Sequence, residues 1–314
     1  MTVKNNKRLI QRLTDAAIAA VLLAILAAVL LPPFLREQND VLVTDRFEVA
    51  SPKLPASFDG YTLALITDLH SKEFGPDNIE LLNAVEDAAP DAVLIDGDTL
   101  KGSDKADTGQ VFLALCKKLS AKYPVYMVYG NHEQRRYDLS NIEFTYQCAV
   151  EAAGARVIAG EKVPLTIGED SINLYGLNLP YLFYMPAKGQ SLLRSFFPTP
   201  ERYFKEDIQK VLGAPEQGRF TILLTHNPGK FAAYAAWGAD LVLAGHEHGG
   251  IIRLPLYGGL LTRFASTTDM VRYDAGLFEK GDSRMIVGRG LGGATVPYRI
   301  FNQPELAVIT LKAE

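Results

Sequence analysis

The sequence TLALITDLH, residues 62–70, places a short apolar strand directly before an aspartate and a histidine. The same arrangement returns in AVLIDGD, residues 92–98, and in LVLAGHEH, residues 241–248. The segments that follow the first two have the spacing of apolar residues that is typical of amphipathic helices. This alternation of strands and helices predicts a layered α/β fold with largely parallel strands.

The remaining elements follow from the same patterns. Strands are predicted at residues 62–67, 92–95, 125–129, 171–177, 221–225, 241–244, 285–288 and 306–311, and helices at 76–89, 110–122, 141–153 and 229–237. Residues 41–49 predict a first edge strand or hairpin. The last two strands have no obvious helix between them, which favours an α/β sandwich over a single doubly wound sheet.

Composition sets broad limits on the function. The 314 residues are enough for one large domain or two small ones, and 48% apolar and 22% charged residues are ordinary for a globular protein. The net charge of -4 offers no electrostatic argument for nucleic-acid binding, so we expect no nucleic-acid partner. Composition does not indicate an oligomeric state.

The two cysteines, Cys116 and Cys148, both lie in predicted helices and lack the C-x-x-C spacing of a zinc or redox motif. We expect two buried thiols, with one disulfide as the alternative.

The N-terminal segment predicts a membrane anchor. Residues 16–35 carry no charge and match the ~20 residues that a helix needs to cross a bilayer. Four basic residues precede this run and Arg36 alone follows it directly, so the N-terminus is expected in the cytoplasm and the rest of the chain outside. A cleaved secretory signal is the alternative, but LPPF at residues 31–34 offers no small-residue cleavage site. The predicted organisation is a basic tail at 1–15, a single-pass anchor at 16–35, a linker and edge strand at 36–60 and the main domain at 61–314.

All five histidines lie directly after predicted strands: His70, His132, His226, His246 and His248. A lone histidine is more often a packed or solvated residue, but five at strand ends form a pattern. Ligands of open α/β sheets bind at the carboxyl ends of strands, so these side chains are expected to converge.

The residues beside these histidines indicate a metal site. Asp68 and His70 are two apart in a segment expected to be extended, so both side chains leave on one face. Asp98 has two carboxylate oxygens and can bridge two cations. Together with Asn131, the aspartates and histidines provide oxygen and nitrogen ligands but no thiolate, a set that suits divalent Mn, Fe, Zn or Co. Two such ions about 3.5–4 Å apart can activate water and clamp phosphoryl oxygens.

The ordered motifs Asp-x-His, Gly-Asp, Gly-Asn-His-Glu and Gly-His-x-His resemble those of the calcineurin-like metallophosphoesterase superfamily, over residues 61–309. The resemblance implies a four-layer α/β/β/α sandwich that binds two divalent metal ions. The first ion would be bound by Asp68, His70, Asp98 and His248, and the second by Asp98, Asn131, His226 and His246. His132 would be the non-ligand histidine that donates a proton to the leaving oxygen or steadies the transition state, a usual role for histidine near neutral pH.

The anchor and the late motif Arg289-Gly290-Leu291-Gly292 resemble a bacterial membrane-associated branch of that superfamily, whose members are phosphodiesterases or phosphatases. We therefore expect a hydrolase that cleaves phosphate ester or pyrophosphate bonds, most specifically a membrane-anchored phosphodiesterase. Its expected substrate is a phosphorylated small molecule or a lipid-linked, cell-envelope compound. A phosphomonoesterase and a non-catalytic metal-binding module of the same fold are the alternatives.

Three further features have two interpretations each. Arg289 either binds a substrate phosphate or is a surface arginine beside a turn. Asp96 and Glu133 either orient a ligand histidine or have structural roles. The aromatic insert at residues 180–204 is either a lid for a lipid-linked substrate or ordinary packing at the sandwich edge.

Overall fold

The computed structural model describes residues 3–101, 104, 106–137, 142–184, 205–254, 256–260, 273–293 and 298–314. Its α-helices are α1 Val3–Asp40, α2 Ile79–Ala88, α3 Gln110–Ser120, α4 Asn131–Tyr137, α5 Ile142–Ala152, α6 Lys205–Leu212 and α7 Phe231–Trp237. Its strands are β1 Val43–Ser51, β2 Thr62–Ile66, β3 Ala92–Ile95, β4 Val125–Met127, β5 Arg156–Val157, β6 Lys162–Ile167, β7 Asp170–Gly176, β8 Thr221–Leu224, β9 Leu241–Ala244, β10 Arg253–Leu254, β11 Gly258–Gly259, β12 Gly276–Lys280, β13 Ser283–Val287 and β14 Glu305–Ala313.

Two mixed sheets of six strands form the centre of the fold. The first has the order β1-β14-β2-β3-β4-β5, and the second has the order β12-β13-β9-β8-β7-β6. The inner strands β2, β3 and β4 run parallel, as do β7, β8, β9 and β13. Antiparallel pairing joins β14 to β2, and it adds β12 and β6 at the two edges of the second sheet. The predicted parallel strands are confirmed, within sheets that are mixed.

The apolar side chains separate into three layers of core. Between the sheets lie side chains from both, including Leu63 and Leu65 of β2, Ile222 of β8 and Leu241 of β9. On the outer faces, α2, α3 and α5 cover the first sheet, and α6 and α7 cover the second. Strands covered on both faces need an almost continuous apolar sequence, which explains runs such as Ala92–Ile95. The predicted α/β/β/α sandwich is confirmed.

The N-terminal helix is longer than the sequence predicts. Residues 36–40, expected as a linker, continue α1 to Asp40, and residues 43–51 form one strand that pairs in parallel with β14 instead of a hairpin. The 30-residue stretch Gln11–Asp40 is long and apolar enough to cross a membrane, and its most apolar window is not buried against the rest of the chain. The core helix of a globular domain would instead have most of this apolar stretch buried.

Two local predictions need correction. The helix expected at 76–89 begins as α2 only at Ile79, because Asp77 and Asn78 have left-handed backbones, with φ of 58° and 61°. The Asn78 side chain accepts a hydrogen bond from the Phe74 N–H there, which stabilises a turn in place of the first helical turn. Both cysteines are free, but only Cys116 is buried; Cys148 is exposed on α5, so the expectation of two buried thiols is wrong for it.

The carboxyl ends of β2, β3, β4, β8 and β9 all open on one edge of the sandwich, which we call the ligand edge. The strand order also brings the start of β1 and β14 to this edge, because β14 runs antiparallel to β2. The N-terminal helix therefore enters the domain at the same edge as the histidines and aspartates.

Candidate metal centre

Glycines let the loops at the ligand edge approach one another closely. A Cβ atom on Gly97 would lie 2.1 Å from the Gly130 nitrogen, and one on Gly245 would lie 1.9 Å from Thr67 Oγ1. Both distances are far below van der Waals contact, so no larger residue fits at either position. Each of these glycines directly precedes a candidate ligand, Asp98 after Gly97 and His246 after Gly245.

The candidate ligands themselves adopt an unusual backbone. Asp68, His70, Asp98, His246 and His248 have positive φ angles of 52°, 46°, 49°, 74° and 49°. Left-handed non-glycine residues of this kind cost on the order of 1–3 kcal/mol each, and they concentrate at functional sites. The expectation that Asp68 and His70 are extended is therefore wrong. Strand β2 ends at Ile66, and the left-handed backbones of Asp68 and His70 turn the two side chains into the same space.

Each buried carboxylate divides its two oxygens between the protein and the site. Asp68 Oδ2 accepts hydrogen bonds from Thr67 Oγ1 at 2.7 Å and from the His246 N–H at 3.0 Å. Asp98 Oδ1 accepts from the His132 N–H at 2.7 Å. The other oxygens face imidazoles: Asp68 Oδ1 lies 3.3 Å from His248 Nε2, and Asp98 Oδ2 lies 3.3 Å from His226 Nε2.

The imidazoles are oriented by main-chain oxygens. His226 Nδ1 lies 2.5 Å from the Asp96 carbonyl oxygen, and His70 Nδ1 lies 3.3 Å from that of Leu100. A proton on Nδ1 in each ring leaves the Nε2 lone pair directed into the site. The Nε2 atoms of His70 and His248 are only 3.1 Å apart, a close approach that a shared cation would satisfy.

Glu133 and Asp96 support the ligand loops. The fully buried Glu133 carboxylate accepts hydrogen bonds from the N–H groups of Asp98 at 2.8 Å, Thr99 at 2.7 Å and Gly130 at 2.8 Å. It therefore joins the β3 and β4 loops and orients the backbone of Asp98 instead of a histidine ring. Asp96 is the residue that orients a histidine, through its main-chain oxygen on His226, while burial raises the pKa of its own carboxyl to about 7.

Burial and charge set the protonation of these groups in the absence of metal. Burial lowers the pKa of His246 to about 4 and that of His248 to about 3, so both rings are neutral and can offer a lone pair. Burial alone would also lower the pKa of His226, but the carboxylates Asp98 and Asp68 raise it well above its usual value. The same negative field that retains a proton on His226 favours a cation.

The donor set fits two divalent cations that share a ligand. Three groups of side chains converge closely enough to hold an ion: Asp68 with His70 and His248; His70 with Asp98 and His132; and Asp98 with His226 and His246. Among the described residues, Asp68 Oδ1, Asn131 Oδ1 and His226 Nε2 are buried without a hydrogen-bond partner. Buried polar atoms without partners are costly, and a bound cation would provide what each lacks.

A family model described as calcineurin-like phosphoesterase matches residues 61–250, which contain every strand-end ligand described above. The chain belongs to the calcineurin-like phosphoesterase family. It is therefore a hydrolase that acts on phosphate esters, and its clustered aspartates and histidines could bind the divalent metal ions that this fold implies.

Relatives of this phosphoesterase match most of its length. A Bacillus subtilis metallophosphoesterase, YkuE, is 26% identical over 87% of this chain and 86% of its own length. The Escherichia coli phosphodiesterase YaeI is 24% identical over 80% and 82%, respectively. A Danio rerio transmembrane protein with a metallophosphoesterase domain is 26% identical over 84% of this chain and 56% of its own length. Among solved structures, a putative 5'-nucleotidase of Staphylococcus aureus is similar with a TM-score of 0.45 and 11% identity, covering 81% of this chain and 54% of that one.

Arg289 is engaged by protein carboxylates. Its guanidinium pairs with Glu305 and, at 2.6 Å, with Asp45 Oδ2, so a substrate phosphate would have to compete with two anions. Among the described residues, Arg299 is an arginine that contacts a candidate ligand, and no sequence motif surrounds it to indicate this role. Its buried guanidinium lies 3.5 Å from His248 Nδ1 and donates to the main-chain oxygens of Gly290 and Gly292.

Tyr184 is a second side chain beside the ligands that the motifs did not single out. Its ring packs edge-on against His246, with 5.0 Å between ring centroids, and lies 6.0 Å from His226. Burial raises the pKa of the phenol well above its usual value, so the group stays protonated as a donor. Its oxygen is buried and has no hydrogen-bond partner among the described residues. The insert that contains Tyr184 otherwise falls mainly at 185–204, outside the described residues.

Metal binding at neutral pH is expected to release about one proton from His226 for each chain, since the ring holds a second proton, on Nε2, only without the cation. Because the pKa of His226 is raised, lowering the pH strengthens proton competition and weakens metal binding. Calorimetric titration of the metal-free chain in buffers of different ionisation enthalpy measures the release. The His226→Gln variant is the control, and a binding enthalpy independent of the buffer would contradict the prediction.

Proposed function

We propose that the chain is a membrane-anchored phosphodiesterase with a two-metal centre, acting on a lipid-linked or cell-envelope substrate. The observation that carries the metal centre is the position of Asp98 Oδ2, which faces the imidazoles of His226 at 3.3 Å and His70 at 3.8 Å. One oxygen between two sets of nitrogen ligands is what a bridging carboxylate requires. The first ion would be held by Asp68, His70, Asp98 and His248, and the second by Asp98, Asn131, His226 and His246.

The proposed mechanism separates the roles of the side chains. Two divalent cations, when bound, supply an activated water and positive charge for the phosphoryl oxygens. His132 would donate a proton to the leaving oxygen. Its side chain is 27% exposed, whereas those of His70, His226 and His248 are 2%, 0% and 8% exposed, so it can reach a substrate beside the ligands. Its Nε2 lies 3.9 Å from Asp98 Oδ2, so the ring stands directly beside the carboxylate proposed to bridge the two ions.

The membrane part of the proposal is supported by α1. Its unburied apolar stretch has the length of a membrane span, and basic residues precede it, which favours a cytoplasmic N-terminus and a catalytic domain outside. Similarity to a named phosphodiesterase supports a diester as substrate. The position of the helix at the ligand edge supports a substrate that resides in or on the membrane.

The test is a substrate panel on the full chain in nanodiscs, after metal analysis. We expect about two first-row divalent ions per chain. We expect faster turnover of a lipid-borne phosphodiester than of soluble phosphodiesters, phosphomonoesters or a nucleotide-sugar pyrophosphate. Fastest turnover of the monoester would reassign the enzyme as a phosphomonoesterase, and one ion per chain would contradict the two-metal centre.

Tyr184→Phe is expected to lower kcat by about tenfold, the effect of losing one hydrogen bond to a charged phosphoryl oxygen. Metal content should not change, because the ring that packs against His246 remains. Tyr181→Phe, in the same short helical turn, is the matched control and should leave kcat unchanged. Steady-state kinetics with metal analysis measure both variants, and equal kcat values for Tyr184→Phe and the unmodified chain would assign Tyr184 to packing alone.

A further inference from the structure

The end of α1 is bound to the catalytic domain by specific hydrogen bonds. Gln38 Oε1 accepts from the Asn302 N–H and Asn39 Oδ1 accepts from the Arg299 N–H, each at 3.0 Å. The Lys72 ammonium donates to the Asn39 main-chain oxygen. One turn earlier, the Phe34 ring packs edge-on against Phe301, with 5.6 Å between centroids. The end of the helix is therefore held against the domain by three hydrogen bonds and one aromatic contact.

The loop that receives the helix also supports a metal ligand. Asn302 Nδ2 donates to the His248 main-chain oxygen at 2.7 Å, and the Arg299 guanidinium lies 3.5 Å from His248 Nδ1. The residues 299–302 thus touch α1 on one side and His248 on the other. Phe34 and Gln38 are about 6 Å apart along a helix that rises about 1.5 Å per residue. The metal centre is accordingly a short distance from the end of the apolar span.

Exposed apolar side chains extend away from this point of entry, beginning with Phe301, which contacts Phe34 of α1. They belong to the β10–β11 hairpin and to the 298–301 segment, which are joined by the pairing of Ile252 with Ile300. We call them the collar: Leu254, Leu256, Tyr257, Tyr298 and Phe301, with exposed fractions of 41%, 110%, 49%, 53% and 60%. The two sequence segments, residues 251–260 and 298–302, contain no aspartate or glutamate.

The composition of the collar matches one kind of partner. Leucine and phenylalanine side chains are more stable among acyl chains than in water. Tyrosine prefers the headgroup level, where its ring contacts acyl chains and its hydroxyl contacts water. Carboxylates, which an anionic surface would repel, are absent from both segments. The collar is also continuous with α1 through the contact of Phe301 with Phe34, a residue at the end of the predicted span.

We infer that the collar lies in the interface of the bilayer that α1 crosses, and that it holds the metal centre at the level of lipid headgroups. This inference rests on the membrane anchoring in the proposed function. The substrate class that such a position favours is a phosphodiester whose phosphate lies in the headgroup layer. A soluble substrate gains nothing from this position.

Tryptophan fluorescence in proteoliposomes tests the position of the collar. The variants are Leu256→Trp and Phe301→Trp in the full chain, with lipids brominated near the headgroup end of their acyl chains. Ile167→Trp is the matched control, because Ile167 is an exposed apolar residue of the β6–β7 hairpin, at the edge of the sandwich opposite the ligand edge. The emission of the added tryptophan is obtained by subtracting the emission of the unmodified chain, which contains only Trp237, and it is compared between vesicles with and without brominated lipid.

We expect the added emission of the two collar variants to fall by about half and that of Ile167→Trp to stay unchanged. Failure of the chain to float with the vesicles would contradict the anchoring itself. Flotation with no quenching in either collar variant, or with equal quenching in the control, would overturn the inference and leave the anchoring intact. Leu256 is fully exposed, so its replacement removes no packing.

Kinetics test the consequence for substrates. Leu256→Asp should lower turnover of a lipid-borne phosphodiester by about tenfold while turnover of a soluble phosphodiester stays unchanged. Ile167→Asp should change neither rate. Unchanged turnover of the lipid-borne substrate in Leu256→Asp would overturn the role of the collar in presenting substrate. If the unmodified chain hydrolyses neither phosphodiester, the result would instead contradict the proposed function.

Discussion

Asp98→Asn is expected to lower kcat by at least about 10³-fold and to reduce the metal content of the full chain. Each ion contributes several kcal/mol of charge stabilisation in the transition state, and about 4 kcal/mol corresponds to a factor of 10³. The amide removes the negative charge between His226 and His70, although it preserves the size of the side chain and its acceptor for the His132 N–H. Metal analysis and steady-state kinetics on the same preparation provide the measurement.

The control for this variant is Asp77→Asn, which neutralises a carboxylate that is 86% exposed and that lies beside Lys118, which is not a candidate ligand. It should keep full metal content and activity. Two ions per chain with undiminished kcat in Asp98→Asn would exclude a bridging role for this carboxylate. A variant that retains one ion and a small fraction of activity would agree with the prediction.

His132→Ala is expected to lower kcat by about 10²–10⁴-fold, the usual contribution of a general acid, with both ions retained. The structure supports this separation, because His132 is the most exposed of the four histidines compared above, and its N–H, which binds Asp98, belongs to the backbone that alanine preserves. The measurement compares two diesters that differ in leaving group. The loss should be large for an alkyl alcohol, which needs a proton on departure, and small for a nitrophenol, which does not.

Equal losses on both leaving groups would contradict proton donation and would point to transition-state positioning by His132. Loss of metal in His132→Ala would instead assign the ring to the ligand set. His132→Gln is an informative companion, since it restores a hydrogen-bond donor without a titratable proton. It should recover little activity if the proton is transferred and more if the ring only positions the phosphate.

Forming the ligand edge costs free energy, and hydrogen bonds from neighbouring residues offset this cost. Five candidate ligands have left-handed backbones, and two carboxylates are fully buried beside three almost fully buried imidazoles. Burial alone would raise the pKa of Asp98, but the coulombic effects of His226 and His132 hold it well below its usual value. The carboxylate is therefore kept charged and ready for cations. The Glu133 hydrogen bonds to the same loop secure a geometry that the local sequence would not adopt by itself.

The layered fold, and the edge at which its polar side chains meet, can be predicted from the amino-acid sequence alone. Apolar runs such as Ala92–Ile95 must be covered on both faces, which layered α/β folds provide, and the carboxyl ends of parallel strands share an edge. The sequence also indicated the apolar N-terminal helix from length and charge alone. These properties are local or periodic, so a single chain displays them before folding.

The partner of each polar atom, in contrast, depends on how the folded chain packs. The division of the Asp98 oxygens between the His132 N–H and the imidazoles, the placement of Tyr184 against His246, and the hydrogen bond from Asn302 to His248 all join residues far apart in sequence. Contacts of this kind leave no periodic pattern, because they depend on how loops turn at positive φ after each strand. For the same reason, only the folded chain shows that the helix predicted as an anchor ends beside the candidate metal centre, where Gln38 and Asn39 bind the loop that supports His248.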